Sequence, residues 1–225
     1  RAVPSDRRDR LMPVVLLVRH GQASFGAADY DVLSDVGREQ SRVVGSELAR
    51  RALRSPVAMC GSLLRQRDTA EIALSFANLD ASLLTDSRWD EYDHLDLLKR
   101  YVAEDASHDG TSKGVQVLLD QALAAWVSDP SGDWGAFCGG AVAALSSLVD
   151  SLSSGQDAVV FTSGGVIAAV ASTLLGVGSA GVVALNRVTM NGAITKLVVG
   201  SGGISLVAFN DHAHFEDRRD LVTYR

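Results

Sequence analysis

Three residues suited to phosphate chemistry, Arg19, His20 and Gly21, stand together directly after an apolar run at residues 14–18. A neutral imidazole nitrogen can attack phosphorus, a guanidinium offers a planar fork of donors to phosphate oxygens, and glycine lets the backbone approach an anion closely. These residue types indicate phosphoryl transfer. On its own, so short a motif is equally consistent with an exposed arginine at a strand end and a hydrogen-bonded histidine in a turn.

A second arginine, Arg65, falls where a helix is expected to begin. Residues 61–71 follow a short apolar run at 57–60, and the pattern predicts strand, turn and helix with Ser62 as the N-cap. A cation is unfavourable near the positive end of a helix dipole, so its position predicts a compensating anion, one also held by the free backbone N–H groups. For this segment taken alone, an exposed helix charge is the better explanation of Arg65.

Several blocks of sequence, taken together, resemble the histidine phosphatase superfamily, the phosphoglycerate mutase-like group, branch 1. They occur in the family's order between about residues 14 and 215, and each block alone is weakly specific. The blocks are LVRHGQ at 17–22, LSDVGREQ at 33–40, SLLRQRDTA at 62–70, WDEYDH at 89–94, VVFTSGG at 159–165, NGAIT at 191–195 and FN at 209–210.

The resemblance implies that His20 is the nucleophile that becomes phosphorylated, that Arg19 and Arg65 hold the phosphoryl oxygens, and that Glu91 is the proton donor. A metaphosphate-like transition state spreads negative charge over three oxygens, which positioned cations stabilise. A partly desolvated carboxyl group beside a phosphate has a raised pKa, as a general acid near neutral pH requires. Without the resemblance, Glu91 is better explained as an exposed carboxylate of an acidic cluster, which comprises Asp86, Asp90, Glu91, Asp93 and Asp96.

Ser163 stands where the family usually has a second histidine. A serine can donate one hydrogen bond to a phosphate oxygen but supplies no imidazolium, so about 2 to 4 kcal/mol of transition-state stabilisation is lost if nothing replaces it. The backbone N–H groups of Gly164 and Gly165, at a predicted helix start, can still hold an anion. An N-cap role for Ser163 is compatible with this site, whereas a serine nucleophile is disfavoured because the turn is not Gly-x-Ser-x-Gly.

The family's asparagine a few residues after Arg-His-Gly is also absent, and Gln22 and Ser24 are its candidate replacements. The predicted phosphate site therefore consists of Arg19, Arg65, Gln22, Ser163 and Gly164, with His20 and Glu91 as the catalytic pair.

A group of polar residues that follows the last predicted strand is a candidate metal site: Asp211, His212, His214, Glu216 and Asp217. Histidines two residues apart on a strand can share a face and bind a divalent ion. No second cluster with metal-ligand spacing completes a catalytic set, which favours solvent-exposed side chains or turn contacts. The sequence therefore predicts neither a metal nor another cofactor.

Strand and helix patterns alternate along the chain. Five consecutive apolar residues at 14–18 fit a central parallel strand covered on both faces. Further strands are predicted at 57–60, 158–161, 193–199 and 205–209, and helices at 35–53, around Arg65, and at 95–102, 114–127, 135–152 and 166–175. This order predicts an α/β fold: a three-layer α/β/α sandwich with a mostly parallel central sheet and a helical insertion at about 95–152 over the active site.

Length and composition predict the broad class. A chain of 225 residues with 47% apolar content can form a single domain, here residues 13–225 after a disordered N-terminal arm at 1–12. The net charge of −6 argues against nucleic acid as a partner, and no apolar run is long enough for a membrane span. Cys60 and Cys138 are expected to be reduced thiols of a cytoplasmic protein.

The sequence thus predicts a metal-independent phosphomonoester hydrolase with a phosphohistidine intermediate. Two alternatives stay open: a phosphoglycerate mutase-type phosphotransferase, and a degenerate phospholigand-binding protein in which Ser163 marks lost turnover. The expected partner is a small phosphorylated metabolite or a phosphoprotein. The oligomeric state is left open, with a homodimer as one option.

Overall fold

One six-stranded sheet organises the protein. The computed structural model describes residues 12–24, 31–102 and 112–224. The strands are β1 (Val14–Arg19), β2 (Val57–Cys60), β3 (Leu83–Thr85), β4 (Ala158–Thr162), β5 (Ile194–Gly200) and β6 (Gly203–Asp211), in the spatial order β3-β2-β4-β1-β5-β6. Neighbours from β3 to β1 pair in parallel, and β5 runs antiparallel to β1 and β6. The predicted α/β fold with a mostly parallel sheet is confirmed.

Strand β1 lies in the interior of the sheet, as its apolar run predicts. Its four middle residues, from Val15 to Val18, are at most 1% exposed. It pairs in parallel with β4, where Arg19 lies opposite Thr162, but its other neighbour, β5, is antiparallel. The expectation of a parallel strand is therefore correct on one side only.

Helices cover both faces of the sheet. They are α1 (Asp35–Arg51), α2 (Leu64–Phe76), α3 (His94–Tyr101), α4 (Ser112–Ser128), α5 (Trp134–Ser151), α6 (Gly164–Leu175) and α7 (Ser179–Val188). Alternate residues of β1 point to opposite faces: Leu16 and Val18 pack in the cluster that holds α1 and α2, and Val15 and Leu17 pack with α5 and α6. The three-layer arrangement follows from this two-sided burial.

A third apolar cluster lies outside the two sheet layers and joins α3, α4 and α7. Its buried members are Leu97, Ala122, Leu123, Trp126, Val182 and Val183. Of the helices predicted for the insertion at 95–152, α3 and α4 belong to this cluster. Helix α5 instead packs on the sheet through Ala141, Ala144 and Leu145.

Two elements and one helix start differ from the predictions. Strand β3 is only three residues long, and α7 lies in a glycine-containing stretch without a clear start signal, so neither was predicted. Helix α2 is capped by Leu63 and not by Ser62, because the Ser62 backbone N–H and hydroxyl both donate to the Asp90 carboxylate, each at 2.5 Å. The predicted N-terminal arm lies outside the described residues except for Met12, and the single-domain assignment stays a prediction.

Candidate active site

His20 is held where β1 ends. Its backbone N–H donates to the Thr162 carbonyl at the end of β4 (2.9 Å), and its own carbonyl accepts from Asn191 Nδ2 (3.2 Å). The side chain is buried, with the residue 5% exposed. The parallel pairing of β1 with β4 therefore fixes His20 at the carboxyl edge of the sheet, the usual place for a ligand site in α/β proteins.

The two ring nitrogens of His20 have different partners. Nδ1 lies 2.7 Å from the Gly21 carbonyl oxygen, and Nε2 accepts from Arg65 Nε at 3.2 Å. Because a carbonyl only accepts and a guanidinium only donates, these contacts assign the proton to Nδ1 and a lone pair to Nε2. Burial, with the positive charges of Arg65 and Arg19 nearby, holds the pKa of His20 well below its usual range. The imidazole is neutral near neutral pH.

Arg65 lies in the first turn of α2 and is 8% exposed. Its Nη1 donates to Asp31 Oδ1 at 2.6 Å, and the other Asp31 oxygen accepts from the Leu64 backbone N–H at 2.7 Å. The anion that the sequence predicts beside this cation is thus supplied by the protein itself. Asp31 was not predicted, because it precedes Arg65 by 34 residues and no local pattern connects the two.

Arg19 is oriented by backbone carbonyls. Its Nη1 donates to the carbonyl of Thr189 and to that of Tyr224, the latter at 3.0 Å. The guanidinium lies beside Gly164, since a Cβ built on that glycine would be 3.5 Å from Arg19 Nε. Arg19 and Arg65 are far apart in sequence, yet together with His20 they line one cavity.

The environment of Glu91 differs from that of the other carboxylates of its acidic cluster. Its Oε2 accepts from the Gly165 backbone N–H at 3.0 Å, and its Oε1 accepts from the Tyr92 N–H at 3.2 Å. Burial raises the pKa of Glu91, against the opposing effects of the Gly165 hydrogen bond and of Arg65 and Arg19. A Cβ on Gly165 would lie 2.2 Å from Glu91 Oε1, so a larger residue there would displace this carboxyl group.

The neighbouring carboxylates have structural partners instead. Asp86 pairs with Arg88 at 2.6 Å, Asp90 accepts from Ser62, and Asp93 caps α3 by accepting from two backbone N–H groups. Glu91 alone of this group lines the cavity among the residues the structure describes. Sequence proximity groups these side chains, but burial distinguishes one of them.

Ser163 and Gln22 make contacts with protein groups outside the cavity lining. Ser163 is completely buried at the N-cap of α6, makes no side-chain cap bond, and accepts from Gln66 Nε2 at 2.8 Å. Gln22 Oε1 accepts from the Ser34 hydroxyl at 2.9 Å. Neither side chain, nor that of Ser24, is among the described residues that line the cavity, whereas Gly164 is. Their contacts with phosphate stay predictions.

The cavity has a volume of about 210 Å³ and extends from the His20 end toward α3, α4 and α7. Several lining residues are not among the predicted site residues; they are Tyr92, His94, Leu95, Leu98, Val115, Gln116, Leu119, Asn186, Arg187 and Tyr224. Tyr92 and His94 belong to the WDEYDH block, which is the local signal that could have pointed to them. The α7 residues could not have been found, because the helix itself was not predicted.

Three of the five polar residues that form the candidate metal site, Asp211, His212 and His214, have protein partners. His212 Nδ1 lies 2.7 Å from the Asn210 carbonyl, His214 Nε2 lies 3.0 Å from the Gly192 carbonyl, and Asp211 pairs with Arg51 at 2.5 Å. Within residues 12–24, 31–102 and 112–224, no three His, Cys, Asp or Glu side chains are grouped closely enough to hold a metal ion. Cys60 and Cys138 are free thiols.

None of the helices in the described part of the chain combines the length and the apolar character that a bilayer span requires.

Comparison with solved structures gives several matches over nearly the whole chain. Phosphoglycerate mutase from Bacillus anthracis is 17% identical, with a TM-score of 0.64 over 91% of this chain and 95% of that one. A mycobacterial glucosyl-3-phosphoglycerate phosphatase in complex with VO3 is 20% identical, with a TM-score of 0.64 over 89% and 100%. YhfR from Bacillus stearothermophilus is 19% identical, with a TM-score of 0.65 over 91% and 100%. A search of the curated proteins gave no match.

The family comparison covers most of the described chain. The model of the histidine phosphatase superfamily, branch 1, matches residues 15–212. This range contains β1 with His20, the start of α2 with Arg65, Glu91 and the turn between β4 and α6. The chain therefore belongs to the histidine phosphatase superfamily, branch 1, and is an enzyme of the histidine phosphatase and phosphoglycerate mutase-like type.

Proposed function

We propose that this protein is a metal-independent phosphomonoester hydrolase in which His20 is the nucleophile and Glu91 the proton donor. In the first step, Nε2 of His20 bonds to phosphorus while the bond to the ester oxygen breaks, and that oxygen takes the proton of Glu91. In the second step, water attacks phosphorus, the Glu91 carboxylate takes a proton from the water, and the P–N bond breaks to release phosphate and neutral His20.

One observation carries this proposal: the Nε2 lone pair of His20. The contact between Nδ1 and the Gly21 carbonyl keeps the proton on the far side of the ring, and the lowered pKa keeps the ring neutral. The same carbonyl stabilises the ring when it becomes positive after attack. Arg65 Nε donates to this lone pair, so the hydrogen bond must break when Nε2 attacks phosphorus, and the guanidinium can then donate to a phosphoryl oxygen.

The charge at the site suits a phosphoryl group. Arg19 and Arg65 face the cavity, and their positive charges can neutralise the oxygens of a metaphosphate-like transition state. The carboxyl of Glu91 shares the cavity and has a raised pKa, which favours the protonated form that a leaving alkoxide needs. Ser163 offers no replacement for a second histidine, so we expect slower turnover than two arginines and two histidines would give.

We propose hydrolysis, and not phosphoryl transfer to a second substrate, because polar side chains predicted to contact phosphate are hydrogen-bonded to other protein groups. A mutase must hold its phosphorylated intermediate and rebind a product in two orientations, which requires additional polar groups. Gln22 and Ser163 are instead bonded to Ser34 and Gln66. The cavity of about 210 Å³ favours a small phosphorylated molecule as the substrate.

The first test is release of phosphate from 4-nitrophenyl phosphate over about pH 4 to 8 with a metal chelator present. We expect the chelator to leave the activity intact and His20→Ala to lower it by a factor of about 10³ or more. His212→Ala is the matched control, since its ring contacts a backbone carbonyl outside the cavity lining. Equal phosphate release by the His20→Ala variant would contradict the proposal.

A second measurement distinguishes the proposed hydrolase from its two alternatives, a non-catalytic phospholigand-binding protein and a mutase. An alkaline quench during turnover should leave one phosphoryl group on the peptide that contains His20. Binding of phosphate without any release or labelling would instead favour a non-catalytic phospholigand-binding protein. Net transfer between two positions of one substrate would favour a mutase.

A further inference from the structure

We infer that the preferred substrates are alkyl or aryl phosphomonoesters, whose leaving group is uncharged and largely apolar. This inference rests on the phosphatase activity proposed above and adds the class of the leaving group. It is carried by the half of the cavity that lies away from His20.

Apolar side chains form the far wall of the cavity. Leu95 and Leu98 come from α3, and Val115 and Leu119 come from α4. Leu95 is 57% exposed although it stands on a helix with a buried apolar neighbour, Leu97. Apolar side chains grouped around a concave site favour a ligand that covers them, because covering removes apolar surface from water.

The charges at this end of the cavity neutralise one another. Arg187 donates from Nε and Nη2 to one oxygen of Asp120, at 2.8 and 2.7 Å, and Gln116 donates to the other oxygen at 2.7 Å. Asp120 is 8% exposed, whereas the Arg187 side chain is 57% exposed, so the carboxylate of this pair is buried and the guanidinium reaches solvent. A carboxylate or second phosphate on the leaving group would have to compete with Asp120 for Arg187, beside a negative charge.

Among the described lining residues of α3 and α4, the polar side chains are His94 and Gln116, and Gln116 already donates to Asp120. Asn186 and Tyr92 lie instead beside Gly164 and Gly165, near Arg19 and Glu91, where Asn186 Nδ2 donates to the Tyr92 hydroxyl at 3.4 Å. The hydroxyl groups of a sugar would lose water against Leu95, Leu98 and Val115 without gaining equivalent hydrogen bonds. An apolar leaving group pays no such penalty.

The test compares leaving groups that differ in one property. Methyl phosphate and hexyl phosphate differ in apolar length, and 5-carboxypentyl phosphate has the length of hexyl phosphate with a terminal negative charge. We expect kcat/KM for hexyl phosphate to exceed that for each of the other two by about tenfold or more, the effect of burying a few methylene groups. Equal values for the three esters, with His20-dependent turnover present, would overturn the inference and leave the phosphatase proposal intact.

A pair of variants tests whether the apolar wall causes the preference for hexyl phosphate. Leu95→Asn should lower the hexyl-to-methyl ratio of kcat/KM several-fold, about the effect of replacing an apolar contact by a polar one. Leu175→Asn is the matched control, because it changes a leucine of similar exposure, 53%, that is not among the described lining residues. Equal effects of the two substitutions on the ratio would contradict a role for this wall.

Binding of phosphonates keeps the inference testable without turnover. Methylphosphonate and hexylphosphonate cannot be hydrolysed, and calorimetry on the unmodified protein gives their dissociation constants directly. We expect hexylphosphonate to bind about tenfold more tightly or better. If no ester is hydrolysed but hexylphosphonate binds more tightly, the phosphatase proposal is wrong and the inference about the apolar wall is supported. If both phosphonates bind equally, the apolar wall has no role in binding the alkyl group.

Discussion

Asp31 and Arg65 form an ion pair in which one carboxylate oxygen accepts from Nη1 of the guanidinium at 2.6 Å, while the other accepts from the first backbone N–H of α2 at 2.7 Å. The same guanidinium donates from Nε to His20 Nε2 at 3.2 Å. Asp31 therefore balances a cation at the positive end of a helix dipole and fixes the direction in which it points. We expect it to position Arg65 for the reaction.

Asp31→Asn tests this positioning role. Loss of the charged partner should lower kcat/KM about tenfold, because Arg65 loses its charge-assisted hydrogen bond. The positive charge of Arg65 would also be less compensated, so the pKa of His20 should fall further, and the acidic limb of the pH-rate profile should move to lower pH. Asp86→Asn is the control, since Asp86 also joins an arginine to a backbone N–H, but that arginine, Arg88, is not among the described residues that line the cavity. A purely structural role for Asp31 would leave the acidic limb in place.

The pH dependence of kcat/KM should be bell-shaped. His20 must be neutral, and its pKa is lowered by burial and by Arg65 and Arg19, so activity should fall only when the pH drops below the usual range of a histidine. Glu91 must be protonated, and burial raises its pKa, so activity should fall as the pH rises through that raised value. A profile whose acidic limb lies at or above the ordinary histidine pKa would contradict the neutral nucleophile.

Glu91→Gln separates proton donation from phosphate binding. The amide keeps the shape but supplies no acid, so hydrolysis of an alkyl phosphate should fall by about 10² to 10⁴. The loss of kcat/KM, which reports only the step that phosphorylates His20, should be much smaller for 4-nitrophenyl phosphate, because nitrophenolate leaves without a proton. The kcat, which includes the water step, should fall for both substrates. The alkaline limb assigned to Glu91 should also disappear from kcat/KM. Equal losses of kcat/KM for both substrates would show that Glu91 does not act as the proton donor.

Gly165→Ala should impair activity through a single methyl group. Its Cβ would lie 2.2 Å from Glu91 Oε1 and 2.4 Å from a ring carbon of Tyr92, so the carboxyl group must move away from its hydrogen bond to the Gly165 N–H. Because small displacements of a catalytic group cost much activity, we expect a loss of about tenfold to a hundredfold. Gly140→Ala in α5 is the control, since its Cβ would meet nothing within 4 Å. Full activity in Gly165→Ala would contradict the tight placement of Glu91.

Ser163→Ala tests whether this serine serves the fold more than the reaction. Its hydroxyl is buried and accepts from Gln66 Nε2, so its removal should lower the free energy of unfolding by about 1 to 3 kcal/mol. The kcat should change less than twofold, because the side chain is not among the described lining residues. A large fall in kcat with unchanged stability in urea would show that Ser163 contacts the phosphoryl group after all.

Local patterns in the sequence determined the strand and the helix start that carry His20 and the two arginines. The apolar run at 14–18 places Arg19 and His20 at a strand end by itself, and the strand-turn-helix pattern around residue 62 places Arg65 in a first helical turn. Family resemblance then identified Glu91 among several carboxylates. These assignments succeed because strand burial, helix starts and short motifs depend on neighbouring residues.

Tertiary structure decided which side chains meet. Asp31 reaches Arg65 across 34 residues, β5 joins β1 in the antiparallel direction, and α7 brings Asn186 and Arg187 to the cavity opposite α3 and α4. Ser163 is in the predicted turn, yet its hydroxyl is bonded to Gln66. The sequence alone could not determine these contacts, because each depends on packing between elements that are distant in the chain, whereas the strand that carries His20 is specified by its own residues.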